Sequence, residues 1–170
     1  MAEQKNQNEH LNVEDALTQS EAFLIKYKNA IIGGVVAVII IVAGFIMYKN
    51  LYAEPREEKA QAALFKGQEY FEQDAFEQAL NGDSIGYTGF LKVADDYSGT
   101  KAANLAKAYA GICYAQLGKY EEAVKMLDSF NGKDQMVAPA ILGAAGNCYA
   151  QLGQLDKAAS TLLSAADKAD

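Results

Sequence analysis

Histidine and cysteine, the residues most often used for acid–base, metal and redox chemistry near neutral pH, are scarce in this chain of 170 residues, which has one histidine and two cysteines. Its one histidine, His10, lies in a polar stretch near the start. Asp95 and Asp96 are adjacent, and adjacent helical positions point to different faces, so the two carboxylates cannot work as a pair. The sequence has no glycine-rich phosphate loop and no metal-ligand spacing. It therefore predicts a protein that is not an enzyme and needs no catalytic residue, cofactor, metal or small-molecule substrate.

The spacing of Asn81, Asp83 and Gly86 partly fits a calcium-binding loop. Such a loop requires oxygen ligands at several further positions. Ile85 and Lys92 stand at two of those positions, and neither side chain can supply an oxygen. The sequence therefore argues against a calcium site.

The two cysteines, Cys113 and Cys148, lie in two copies of one six-residue block, CYAQLG, which are 35 residues apart. Equivalent positions in consecutive helical units are about 8–10 Å apart. That distance is too long for a disulfide. We therefore expect two small, buried, apolar side chains.

The net charge of the chain is −7, and its lysines and arginines are not clustered. Nucleic-acid-binding surfaces are basic stripes or patches. The composition therefore argues against a nucleic-acid partner. Its two cysteines are also too few for a disulfide framework.

Residues 30–48 contain no charged residue, amide or proline. A run of 19 such residues is long enough to cross a bilayer as a helix. A buried core helix and a cleaved signal peptide are the alternatives. Because 29 mostly polar residues precede the run and no small-x-small cleavage site follows it, an uncleaved anchor is favoured. The sequence thus predicts a single transmembrane helix at 30–48, in contact with the lipid bilayer.

The charges that flank this anchor do not decide its orientation. Lys26 and Lys28 precede it, and Lys49, Arg56 and Lys59 follow it. The positive-inside rule compares such counts, and here they are nearly balanced.

Residues 1–29 form a polar tail before the anchor. We expect residues 1–11, which are rich in Gln and Asn, to be disordered. From Val13 onward, apolar residues recur at helical spacing and predict a short amphipathic helix. This helix would lie on the membrane surface or continue into the anchor.

Two segments after the anchor match each other at the same offset of 35 residues. The matches extend beyond the shared block, to Ala110–Gly111 with Ala145–Gly146, Ala123 with Ala158, and Leu127 with Leu162. Such a period is typical of helical repeats. We expect helices at 101–117, 120–130, 136–152 and 155–168, preceded by helices near 56–71 and 87–97.

The spacing of small, aromatic and apolar residues in these segments resembles the tetratricopeptide repeat (TPR). The matching residues are Gly111, Tyr114, Gly118, Tyr120, Ala123 and Leu127, and then Gly146, Tyr149, Gly153, Leu155, Ala158 and Leu162. Residues 55–97 resemble a degenerate first copy, in which Asp74 replaces the turn glycine. The resemblance implies an all-α fold in which a single N-terminal transmembrane helix is followed by a TPR-like α-solenoid of about three helix pairs. Two of the repeats would occupy residues 101–170.

The order of tail, anchor and repeats resembles the bacterial inner-membrane TPR proteins that act as ancillary subunits of the Sec translocon. The likeness is closest in DYSGTK at 96–101 and YAGICY at 109–114. It implies a single-pass inner-membrane protein with a cytoplasmic amino terminus and a periplasmic TPR domain. Its partners would be the translocon, a periplasmic chaperone or unfolded client polypeptides. The alternative is a structural scaffold for an envelope assembly or division complex.

A further option is self-association of the anchor. Gly33 and Ala37 are small residues four positions apart, a spacing that lets transmembrane helices approach closely.

In TPR domains the first helix of each pair lines a concave groove that binds a partner. The resemblance places nine residues there: Leu64, Gln68, Phe71, Ala108, Ile112, Gln116, Gly143, Asn147 and Gln151. None is basic, so a clamp for a terminal carboxylate is not expected. Small side chains and amides suit an apolar peptide or a partner helix instead. The alternative is that the small residues only permit tight packing.

After Leu162 and Leu163 the sequence shows no closing helix with a polar outer face. A stack of repeats requires such a face at its end. We therefore expect further residues or a partner to cover this helix.

Overall fold

The computed structural model describes residues 2–132 and 135–169, and for residues 2–24 Phe23 is the one side chain it describes. Helices make up 81% of the structure, and the described residues contain no strand, which confirms an all-α protein. The chain divides into two units, residues 1–50 and 51–170. The elements are α1 (Ala2–Tyr48), a π-helical turn (Lys49–Ala53), α2 (Glu54–Glu72), α3 (Phe76–Asn81), α4 (Phe90–Asp96), α5 (Lys101–Gln116), α6 (Tyr120–Asp128), α7 (Val137–Gln151) and α8 (Leu155–Ala169).

In the first unit, α1 joins the predicted tail and the predicted anchor in one helix that begins at Ala2. For residues 2–11 the expected disorder is therefore wrong. The segment from Val13 continues into the anchor, which is one of the two alternatives left open by the sequence. The physical reason lies in the composition. No glycine or proline precedes Gly33, and the residues before it are mostly good helix formers.

The apolar part of α1 is exposed along its length. It is long and apolar enough to cross a membrane, and none of it is buried inside the protein. Ile40 and Ile41, for example, are 65% and 69% exposed. It is therefore not the buried core helix that the sequence left as an alternative. Such a surface is unfavourable in water and favourable in hydrocarbon.

In the second unit, α2, α3 and α4 pack on one another around Phe90, Leu80 and Val93, which are almost completely buried. The loop between α3 and α4 reverses through Gly82, whose φ is 95°. A Cβ at Gly82 would lie 2.3 Å from the carbonyl oxygen of Tyr87, so only glycine fits this position. This loop is why α4 begins at Phe90 and not at the predicted position 87.

The carboxylate of Asp83 holds this loop in place. Its Oδ1 accepts hydrogen bonds from the N–H groups of Ile85 (2.8 Å) and Tyr87 (2.9 Å). Its Oδ2 accepts one from the Tyr70 hydroxyl. The bond from Tyr70, followed by the backbone bonds, lowers the pKa of Asp83 to about 2. Asp83 therefore organises the loop in which a calcium site was considered.

One helix–turn–helix connection occurs three times among the described residues of this unit. Each turn contains a residue with positive φ: Asp74 (57°), Gly118 (74°) and Gly153 (72°). The following N–H donates to the carbonyl of a tyrosine in the preceding helix: Ala75 to Tyr70 (2.9 Å), Lys119 to Tyr114 (2.8 Å) and Gln154 to Tyr149 (2.9 Å). The segment with Asp74 therefore keeps the same turn although it lacks the glycine.

The four helices predicted from the repeat, α5 to α8, end within two residues of their expected bounds. In each pair a glycine of the first helix receives a leucine of the second. A Cβ at Gly111 would lie 2.6 Å from Cγ of Leu127, and a Cβ at Gly146 would lie 2.7 Å from Cγ of Leu162. The two helices of each pair, α5 with α6 and α7 with α8, therefore pack through the same contact between a glycine and a leucine.

Cys113 and Cys148 are free thiols, and both are buried. This confirms the prediction that they pack as small apolar side chains. Burial raises the pKa of Cys113 to about 12, so its thiol is unreactive near neutral pH.

The first turn of α2 is hydrogen-bonded to the corner between α4 and α5. A guanidinium nitrogen of Arg56 donates to the carbonyl of Asp96, the last residue of α4, at 2.8 Å. The carboxylate of Glu57 accepts from the N–H groups of Lys101 (2.7 Å) and Ala102 (3.0 Å), the first residues of α5. The positive Arg56 lies at the carboxyl end of α4, and the negative Glu57 lies at the amino end of α5. The helix dipole favours each charge at that end.

Candidate functional site

The predicted groove residues of α5 and α7 lie together in the structure. Ile112 and Gln116 of α5, with Asn147 and Gln151 of α7, line one cavity of about 280 Å³. We call it the α5–α7 groove. Its other lining residues are Ala115, Tyr120, Ala144 and Cys148. The two helices position these residues because successive helical turns bring side chains four apart onto one face.

A second cavity, of about 340 Å³, lies between α2 and α5, and we call it the α2–α5 groove. It contains two of the predicted residues, Leu64 and Gln68. Its further lining residues are Glu57, Gln61, Phe65, Lys101, Ala102 and Leu105. Gln68 is not free, since its amide nitrogen donates to the Tyr109 hydroxyl at 2.8 Å.

The other three predicted residues line neither groove. Phe71 packs in the core, where its ring meets those of Phe76 and Tyr109 at centroid distances of 5.5 and 5.2 Å. Ala108 is only 1% exposed, so it cannot contact a partner. Gly143 faces open space, because a Cβ there would meet no atom within 4 Å. Six of the nine predicted residues therefore line two separate cavities, and the burial of Phe71 and Ala108 was not predicted.

The α5–α7 groove can offer hydrogen bonds without charge. Gln116, Asn147 and Gln151 are exposed amides, and each carries both donors and an acceptor. Ile112 and the half-buried Tyr120 supply apolar surface beside them. Among its described lining residues none is charged. This arrangement fits a polypeptide backbone with apolar side chains, because a peptide group has one donor and one acceptor.

Sequence reasoning missed Phe65 and Tyr120 as groove residues. Phe65 is 62% exposed, although Leu64 beside it is buried. It falls outside the helical stripe formed by Ala60, Leu64 and Gly67, and a large aromatic residue outside the core stripe is the signal that could have found it. Tyr120 belongs to α6 and was excluded because only first helices were considered.

A third cavity, of about 300 Å³, lies beside Tyr149. The Tyr149 hydroxyl donates to Asp128, and the Lys157 ammonium stands 5.4 Å from the centre of its ring. The hydrogen bond to Asp128, aided by burial, raises the pKa of Tyr149 to about 12. The phenol is therefore protonated at neutral pH, and the cluster ties α6, α7 and α8 together.

Within the part of the chain whose side chains are described, no group of three or more His, Cys, Asp or Glu residues could hold a metal ion. A further cavity, of about 450 Å³, opens at the start of α5. The N–H groups of Lys101 and Ala102 near it are already bonded to Glu57, and that of Ala103 is bonded to the Thr100 hydroxyl.

No protein-family model matches this chain, and no curated protein or solved structure shows significant similarity to it. The fold by itself defines the class: an all-helical protein with one long, apolar, N-terminal helix.

Proposed function

We propose that this protein is a non-enzymatic, membrane-tethered adaptor whose TPR-like solenoid binds other proteins. The three equivalent turns at Asp74, Gly118 and Gly153 support a solenoid of three helical units. The repeated contact between a glycine and a leucine in α5–α6 and in α7–α8 supports it further. Repeat arrays of this kind expose extended surfaces on which partners dock.

The tether is the apolar part of α1, whose exposed surface fits a bilayer core. We place the protein in the bacterial inner membrane, with its amino terminus in the cytoplasm and residues 51–170 in the periplasm. This placement rests on the resemblance of residues 96–101 and 109–114 to ancillary subunits of the Sec translocon. The partners in this proposal are the translocon, periplasmic chaperones and unfolded client chains.

The α5–α7 groove is the observation that carries the proposal. Its amides, Gln116, Asn147 and Gln151, would pair with the backbone of an extended client segment. Ile112 and Tyr120 would contact the client's apolar side chains. Because side-chain amides recognise peptide groups and not a particular sequence, the groove would accept many clients.

The test measures binding of a fluorescently labelled, reduced and alkylated protein that stays unfolded. The full chain, held in lipid nanodiscs, is compared with the double variant Asn147→Ala, Gln151→Ala. Loss of two neutral hydrogen bonds should weaken binding about tenfold. Gln78→Ala is the matched control, because Gln78 is an exposed amide of α3 outside both grooves. Equal losses in both variants, or none in the groove variant, would contradict the proposal.

Orientation needs its own experiment. Ser84 is exposed in the loop before α4, and both native cysteines are buried. A membrane-impermeant thiol reagent should therefore label Ser84→Cys in cells whose outer membrane alone is permeabilised. If Ser84→Cys is labelled only after the inner membrane is lysed, residues 51–170 lie in the cytoplasm. That result would contradict the proposed partnership with the translocon. Stable copurification with division or assembly proteins would favour the scaffold alternative.

A further inference from the structure

Helices α6 and α8 are equivalent elements, and each has the same inner contacts. Leu127 packs on Gly111, and Leu162 packs on Gly146. Ala123 and Ala158 are buried at matching positions, with exposures of 0% and 4%. The outer face of each helix is the surface that the first helix of its pair leaves uncovered. A difference in burial between the two outer faces therefore shows whether another element covers them.

The outer face of α6 is covered by α7. Leu127 is 3% exposed and Val124 9%. These side chains share a core cluster with Ile141, Ala145 and Cys148 of α7. The covering surface on α7 therefore consists of one larger aliphatic residue and two small ones, which lets the two helices approach closely.

The matching face of α8 is uncovered. Leu162 and Leu155, the counterparts of Leu127 and of the half-buried Tyr120, are 40% and 70% exposed. Leu163 is 66% exposed and widens this apolar surface, although its counterpart in α6, Asp128, is exposed as well. Ala159 and Ala166, also exposed, lie on the same side by helical spacing. No residue in the described part of the chain packs over this surface. We call these five residues the α8 face.

One edge of the α8 face is acidic. Asp156 and Asp167 are exposed, and helical spacing puts both on the side of Leu163. An antiparallel pairing with a second copy, centred on Leu162, would bring these acidic edges together, which opposes self-association. A partner with basic residues beside its apolar stripe would meet complementary charge.

A second copy stacked head to tail is also disfavoured. The repeat places Ala62, Lys66 and Glu69 of α2 where α7 carries Ile141, Ala145 and Cys148. All three α2 residues are exposed, and two of them are charged. The outer face of α2 therefore lacks the apolar surface with which α7 covers α6.

We propose that the α8 face binds a helix of another protein, one with a stripe of small and aliphatic residues flanked by lysine or arginine. The α6–α7 contact is the structural template for this interaction. The site is separate from the α5–α7 groove, so the protein would hold a folded helical partner and an extended client on different surfaces.

The experiment uses two synthetic helical peptides with the same leucine and alanine stripe, one flanked by lysines and one by glutamates. Binding to the full chain in zwitterionic lipid nanodiscs is measured by fluorescence anisotropy, with empty nanodiscs subtracted. We expect the lysine peptide to bind at least tenfold more tightly than the glutamate peptide. The charge-neutral double variant Leu155→Gln, Leu163→Gln should lose this binding, and Asp156→Lys, Asp167→Lys should reverse the preference.

Phe65→Gln is the matched control, since it removes an equally exposed apolar side chain from the α2–α5 groove. It should leave peptide binding unchanged, as should the groove variant Asn147→Ala, Gln151→Ala. Circular dichroism melting curves establish that each variant is folded. Equal affinity for the two peptides, or a leucine double variant that binds as the parent does, would overturn the proposal. So would a dimer, seen by sedimentation, that the leucine substitutions dissociate, because the occupant would then be a second copy.

Discussion

Residues 54–96 and residues 101–169 form helical units through the same turn but pack in different ways. In the first region, α2, α3 and α4 enclose bulky side chains, such as Phe90. Hydrogen bonds that Asp83 and Glu57 accept from backbone N–H groups position a loop and a helix end. In the second, small residues such as Gly111, Ala123 and Cys113 let helices approach closely. A repeat can therefore lose its sequence signature and keep its geometry if other contacts replace the lost ones.

Phe90→Ala should have the largest effect on this comparison. Phe90 is completely buried, and its ring stacks on Tyr109 at 5.1 Å. Removing it should lower the free energy of unfolding by about 3–5 kcal/mol, because a large cavity remains. Urea unfolding of the full chain in detergent, followed by circular dichroism, measures this. Phe65→Ala is the exposed control and should cost far less.

Leu127→Ala and Leu162→Ala compare the covered and the uncovered helix. The two leucines make the same contact with a glycine, but Leu127 is 3% exposed and Leu162 40%. We expect a loss of about 2–5 kcal/mol for Leu127→Ala and about 1 kcal/mol for Leu162→Ala, measured by the same unfolding experiment. Equal losses would mean that α8 is covered in solution.

Glu57→Gln tests the polar contacts of the first region. The substitution removes a negative charge that accepts two hydrogen bonds at the start of α5. The free energy of unfolding should fall by about 1 kcal/mol. Glu58→Gln, at the exposed neighbouring position, should change it little. A similar loss in both variants would argue for a general charge effect.

Asp74→Gly measures how much stability the protein loses because the first turn has aspartate in place of glycine. Asp74 has a φ of 57°, which an L-residue adopts with strain and glycine adopts freely. The variant should therefore be more stable by about 0.5 kcal/mol, and Gly118→Asp should be less stable by a similar amount. Thermal melting of both variants checks this. A destabilised Asp74→Gly would show that the aspartate side chain itself supports the turn.

The last expected effect, that of Asp83→Asn, depends on pH. The folded protein holds the pKa of Asp83 at about 2, below its ordinary value of 3.8, so folding favours the ionised carboxylate. Its stabilisation is complete above about pH 4 and is lost as the pH falls toward 2. The difference in melting temperature between the parent and Asp83→Asn should therefore shrink over this range. A difference independent of pH would contradict this role for the charge.

Local sequence patterns predicted much of the fold. The period of 35 residues predicted α5 to α8. It did so because helices and glycine turns depend mainly on residues that are close together in the sequence. Local patterns did not predict the shape of the loop from Gly82 to Gly89, because that shape depends on a hydrogen bond from Tyr70 in α2 to Asp83. For the groove, the resemblance to the TPR grouped Ile112 and Gln116 with Asn147 and Gln151. It could not show that Ala108 is buried or that Phe71 packs against Tyr109.

The sequence by itself determined the helical character of the chain, the apolar segment at 30–48 and the scarcity of histidine and cysteine, because these depend on composition and short-range spacing. Only the tertiary structure decided that Glu57 accepts hydrogen bonds from the first N–H groups of α5, that Asp74 adopts the glycine conformation, and that α7 covers α6 while α8 is uncovered. Those features depend on which distant residues meet, and burial is a property of the neighbours of a side chain as much as of its own type.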